Sequence, residues 1–329
     1  MQPNYTDQEF LQILKEYEQK KKINRSAWAI TIPAIIFFVT VAFLGKILVF
    51  LGTAMGFTVE QISAFVNEPG GRTVLETALS YALMLVPYAI CIRIAGMRVR
   101  DIDVFTRSKK GTALPCLLFG VGFCAFANIA VSEAGEVFER FGFKDTSSAP
   151  ADPQGFFGFL LSVVAVSVVP AILEEFAFRG VVMTVLKPYG EAFSVVASAI
   201  LFGLIHGNVN QIPFAFLVGL ALGFIRIKSG SLIVPMAVHG INNLVSTVLS
   251  YCTGMSTVAA NTVYTIYLLS ALTAAIAGVA LFKGKGTFSF TAPEREEGAK
   301  TPYFLFFTSP AIIIYILLAV IKTAMEYFL

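Results

Sequence analysis

The chain has 329 residues, 56% of them hydrophobic and 14% charged, with a net charge of +3 and a mean hydropathy of +0.75. Soluble domains hold about 45–50% apolar residues, so a water-soluble globular domain is excluded. A charge this close to balance is too little to suggest a nucleic-acid-binding surface. The expected fold class is all-α, a polytopic transmembrane helix bundle of about eight to nine spans with an N-terminal amphipathic helix.

Charged residues run through the first 25 positions. A signal peptide needs a short apolar run and a small-residue cleavage site near the start, and neither is present, so none is expected. Thr6 and Glu9 have capping-box spacing. Phe10, Leu11, Leu14 and Tyr17 then fall near one face, followed by Lys20, Lys21 and Lys22. This predicts an amphipathic helix over 6–22 on the cytoplasmic membrane surface, with a solvated tail as the alternative.

A span needs roughly 20 mostly apolar residues. Candidates are 27–51, 73–95, 113–131, 157–186, 192–206, 212–227, 232–250, 260–282 and 302–323. The fourth is too long for one upright helix and is expected to tilt or to break near Pro170. The fifth and sixth are short and can be read as one tight hairpin. Residues 284–300 read as a loop. The chain divides into a cytoplasmic segment (1–25), accessory spans (26–155), a membrane core carrying the polar motifs (156–250) and C-terminal spans (251–329).

Basic residues set orientation. With the N-terminus in the cytoplasm, only Lys46, Arg72, Arg140, Lys144 and Lys322 fall outside. Cys91, Cys116, Cys124 and Cys252 form no CxxC and read as small buried hydrophobes. Gly180, Gly203, Gly207, Gly219, Gly223 and Gly240 read as close helix contacts.

Ionisable groups inside apolar helices cost several kcal/mol each, on the order of 2.5–3.5 on insertion scales, and are functional candidates by default. The two histidines, His206 and His239, and the adjacent Glu174 and Glu175 all lie in such stretches. Consecutive helical residues point about 100° apart, so the two glutamates have separate roles. Glu175 and Arg179 stand at i,i+4 and can pair, leaving Glu174 as a general-base candidate. His239 and Asn243 share a face one turn apart, and Asn242 competes for the donor role. Glu174 lies 14 residues before Pro188 and His206 lies 16 after Gly190. Both therefore sit roughly 21–24 Å from the turn between their helices. His239 reaches a similar depth if Ser231–Val234 is extended, which Pro235 favours by disfavouring helix at the residue before it.

Glu174-Glu175-x-x-x-Arg179, Phe202-x-x-x-His206 and His239-x-x-x-Asn243, in that order and each in its own apolar span, resemble the signature of the CAAX protease and bacteriocin-processing family of intramembrane proteases. The likeness covers about residues 156–250. It implies an intramembrane endopeptidase in which Glu174 and His206 activate water, His239 and Asn243 stabilise the oxyanion, and Glu175 and Arg179 shape the site. The family is described both as glutamate-dependent without metal and as zinc-dependent. Glu174, His206 and His239 would be the Zn2+ ligands in the second case, and the metal-free account is favoured because Asn243 is a poor zinc ligand. The implied partners are a membrane-associated protein or peptide substrate and the lipid bilayer, with no nucleic acid. The expected location is a bacterial plasma membrane. A proton-coupled transporter, or a non-catalytic scaffold of the same family, is the alternative.

Overall fold

The computed structural model describes residues 7–67, 87–102, 106–140, 155–282, 289–291 and 301–328, and every regular element among them is helical. Helix α1 is Asp7–Ala42, α2 Leu44–Ala54 and α3 Val59–Asn67; residues 87–95 form α4. Then come α5 (Ala113–Arg140), the long α6 (Gly155–Tyr189), α7 (Glu191–His206), α8 (Gln211–Ser229), α9 (Ile233–Met255) and α10 (Thr257–Leu281). The chain ends in α11 (Pro302–Phe307) and α12 (Pro310–Phe328). Six of these, α1, α5, α6, α8, α9 and α10, are long and apolar enough to cross a membrane. The chain is an integral membrane protein. Most of the expected second span lies outside the described residues.

Three boundaries differ from the sequence expectations. The amphipathic stretch does not stand apart: it runs without a break into the first span as α1, 36 residues or about 54 Å long. Nothing between Lys22 and Ala27 is a glycine or proline that would stop the helix. The first span ends at Ala42 rather than 51, and a separate helix, α2, follows Phe43. The last span is two helices. Pro310 opens α12, and the Ser309 hydroxyl accepts from the Ile312 N–H at 3.4 Å, the expected side-chain cap for a proline-led helix.

α6 stays continuous through Pro170. It is rewound rather than broken, with wide π turns at Val163–Val168 and Phe176–Val182. A proline removes one N–H and crowds the carbonyl four residues earlier, here that of Val166. The wide turn relieves the crowding, and Asn243 Nδ2 donates to the Val166 oxygen at 3.2 Å. The extended stretch expected at Ser231–Val234 does not form: Gly230 is left-handed and Leu232 already lies in the right-handed helical region. Only 230–232 is non-helical, and the helix begins at Ile233. Pro235 sits in the first turn, where its missing N–H leaves no bond unmade.

The core has two parts. One gathers α1, α4, α6, α7 and α12 around Ile30, Phe178, Phe202 and Tyr315; the other gathers α5, α8 and α9 around Leu222, Ile225 and Val238. Cys91, Cys116 and Cys124 are buried free thiols, as expected. The α7–α8 hairpin closes tightly: a Cβ on Gly203 would lie 2.9 Å from the Ile212 carbonyl oxygen, and one on Gly219 would lie 3.1 Å from Ala199. Gly203→Val is expected to destabilise the bundle by about 1–3 kcal/mol, read as an earlier midpoint in detergent-titrated unfolding, because its neighbour is backbone and cannot move aside. Gly207 has a separate reason to be glycine: it ends α7 at φ +63°.

The segments expected in the cytoplasm bond to one another. Arg25 Nε donates to the Ile94 carbonyl at 2.8 Å, Arg226 Nη2 to Ile102 at 3.3 Å, Lys109 Nζ to Ile227 at 3.3 Å, and Lys228 reaches Ser289. One end of the bundle thus collects basic side chains from three segments, and a fourth supplies the Ser289 carbonyl.

Candidate active site

Glu175 and Arg179 form the buried base of the site. Arg179 Nη1 donates to Glu175 Oε1 at 2.8 Å, and neither side chain has any exposed surface. The guanidinium stacks 4.3 Å over the Phe202 ring, and Nη2 donates to the Gly219 carbonyl at 3.3 Å. Four helical residues and one wide turn bring these two charges together within α6, while α7 and α8 supply the ring and the carbonyl. A charge in this setting persists only when it is paired and hydrogen-bonded.

Glu175 Oε1 has a second partner. His239 Nδ1 lies 2.9 Å from it. A carboxylate only accepts, so Nδ1 carries the hydrogen and Nε2 is turned the other way. Nε2 lies 3.8 Å from Glu174 Oε2. His239 is therefore held between the two glutamates, which face different nitrogens of its ring.

His206 is the last residue of α7. Its Nδ1 donates to the Phe202 carbonyl at 2.7 Å, which again leaves Nε2 as the free ring nitrogen. The Phe202 ring stands edge-on to both imidazoles, with centroids 4.9 Å from His206 and 6.1 Å from His239. Glu174 lies within electrostatic reach of His206. One acid and two imidazoles from three helices thus converge, and the Phe202 ring lies beside both imidazoles. The shared depth read from helix rise for Glu174 and His206 agrees with this convergence.

Exposure differs across the group. Glu175, Arg179 and His239 are buried, whereas Glu174 and His206 are only partly so.

Asn243 joins a chain of amides. Asn128 Nδ2 on α5 donates to Asn242 Oδ1 at 3.1 Å, Asn242 Nδ2 to Asn243 Oδ1 at 3.3 Å, and Asn243 Nδ2 to the Val166 carbonyl. Asn242 thus links Asn128 to Asn243. Asn128 lies outside the three motifs, although a lone amide in an apolar span is itself a signal for an interhelical bond. Asn128→Ala is expected to lower stability by about 0.6–1.7 kcal/mol, measured by the same detergent titration.

The motifs fall in one stretch of chain. Residues 156–245 match the family model of Rce1-like, type II CAAX prenyl endopeptidases. This segment belongs to the Rce1-like family. Neither a curated protein nor a solved structure matches the chain. The Rce1-like segment covers α6 to α9 apart from their outer ends, the four helices that carry Glu174, Glu175, Arg179, Phe202, His206, Gly219, His239 and Asn243.

The zinc alternative requires a donor set placed around one ion. Among the described residues no group of three His, Cys, Asp or Glu side chains is placed to hold a metal ion. Glu175 is committed to Arg179 and His239, and Glu174, His206 and His239 as arranged do not form a metal centre.

Proposed function

We propose that the protein is an intramembrane endopeptidase that hydrolyses a peptide bond of a membrane-associated protein or peptide. Glu174 takes a proton from water as the water oxygen attacks the carbonyl carbon, and His206 Nε2 accepts the second hydrogen bond of that water. The carbonyl oxygen becomes an oxyanion, and His239 Nε2–H and the remaining amide N–H of Asn243 donate to it. Glu175 orients His239 and balances the charge its ring carries when both nitrogens are protonated. The proton held by Glu174 then passes to the leaving nitrogen as the C–N bond breaks.

The observation that carries this reading is the placement of His239 between a sealed carboxylate, 2.9 Å from Nδ1, and a partly exposed one, 3.8 Å from Nε2. A buried partner that orients and a second acid facing the working nitrogen are what general-base catalysis with oxyanion stabilisation needs. Membership of residues 156–245 in a protease family supports the same reading. We place the protein in a bacterial plasma membrane with its N-terminus in the cytoplasm; the mutual bonding of the basic connections supports that orientation.

The test is reconstitution in liposomes with a panel of lipid-anchored and single-span peptides, followed by mass spectrometry of the products. Wild type should generate cleavage products that Glu174→Gln does not. Identical product spectra from the two proteins would rule the reading out.

A further inference from the structure

Helix α7 ends at His206, so its last carbonyls have no partner within the helix. Two of the carbonyls in its final turns are taken by side chains of α12, which lies outside the Rce1-like segment. Tyr315 OH donates to the Leu201 carbonyl at 2.8 Å, and Lys322 Nζ donates to the carbonyl of His206 itself at 2.7 Å. The aliphatic stem of Lys322 crosses Gly207 so closely that a Cβ there would lie 2.4 Å from its Cδ. The glycine that ends α7 therefore also makes room for the lysine. Lys322 follows the apolar run 310–321 of α12, with Glu326 one turn further on, and a cation at such a position is retained for a partner or a function. A cation at a helix C-terminus is favourable because the last carbonyls carry partial negative charge.

We propose that Lys322 is a positioning residue for His206. The ammonium fixes the main chain of residue 206 and so fixes where the ring stands relative to Phe202 and Glu174. Without it the last turn of α7 is held by the Gly207 N–H bond to Leu204 at 3.2 Å and by the His206 ring's own bond to Phe202, neither of which ties it to another helix. The importance assigned to His206 rests on the peptidase reading; the positioning itself does not. A displacement of about 1 Å at a reacting group lowers turnover on the order of 100-fold, so a tether outside the family segment can control the chemistry.

The experiment uses full-length protein in micelles, labelled with carbon-13 at the histidine rings. The chain has two histidines, so the spectrum has two ring signals, assigned with His206→Gln. In Lys322→Met the His206 signal and its titration midpoint should move while those of His239 stay. In Lys322→Arg, which keeps a donor for the carbonyl, both should stay near wild type. On any panel peptide that wild type cuts, Lys322→Met should lower kcat about tenfold or more with KM nearly unchanged. An unmoved His206 signal in Lys322→Met overturns the proposal. If that variant does not fold, Lys322→Arg decides: a displaced His206 signal there overturns it as well. The ring signals need no substrate, so absence of peptidase activity would leave this result standing.

Discussion

Glu174→Gln is expected to lower kcat for peptide-bond hydrolysis by about 10²–10⁴-fold and to leave the fold intact. Glutamine has the same shape and keeps an oxygen facing His239 Nε2, but it cannot take a proton from water. Glu174 is partly exposed, so its charge is not the one holding the helices together. Glu175→Gln is the contrast: it removes a charge that touches Arg179 and His239, and its effect on turnover should come with a loss of stability. Initial rates on a cleaved panel peptide, together with unfolding midpoints for the same preparations, separate the two. A Glu174→Gln enzyme within a few-fold of wild type would remove the general base from the mechanism.

Arg179→Met is expected to destabilise the protein by about 3–5 kcal/mol, the cost of leaving a buried carboxylate without its cation. The environment makes that figure apply here: both side chains are sealed, and Glu175 Oε2 and Arg179 Nε have no hydrogen-bond partner even in the intact pair. The double replacement Glu175→Gln with Arg179→Met should recover part of the loss, because no unpaired charge then remains. Far-UV circular dichroism during unfolding in mixed micelles checks both. Equal loss in the single and double variants would show that packing of Arg179 on Phe202 and Gly219 matters more than its charge. In either case His239 should lose its fixed orientation in the single variant, since Glu175 no longer presents a neutralised, anchored oxygen.

Much of this site is legible in the chain because a lipid interior restricts what sequence can contain. Glu174, Glu175, Arg179, His206, His239 and Asn243 stand out as ionisable or amide groups in apolar runs, and i,i+4 spacing alone predicts the Glu175–Arg179 pair that the fold contains. Helix rise predicts that Glu174 and His206 meet. Helix ends are less legible. A tripeptide of polar and apolar residues at 230–232 is enough to start α9 at Ile233, whereas proline statistics placed an extended stretch through Val234. The break before Pro310 and the wide turns around Pro170 depend on which neighbour satisfies a freed carbonyl, and that neighbour is far away in sequence.

The sequence by itself determined a membrane-embedded helical bundle, the candidate charged and amide residues of its motifs, and the family resemblance of residues 156–245, because apolar spans, basic connections and short motifs are all local properties. Only the tertiary structure decided that His239 is shared by both glutamates, that Phe202 lies beside both imidazoles, and that Asn128 and Lys322 reach the site from α5 and α12. Those contacts join residues as much as 116 positions apart. Their geometry is set by how helices pack and cross, which no periodicity within one helix encodes.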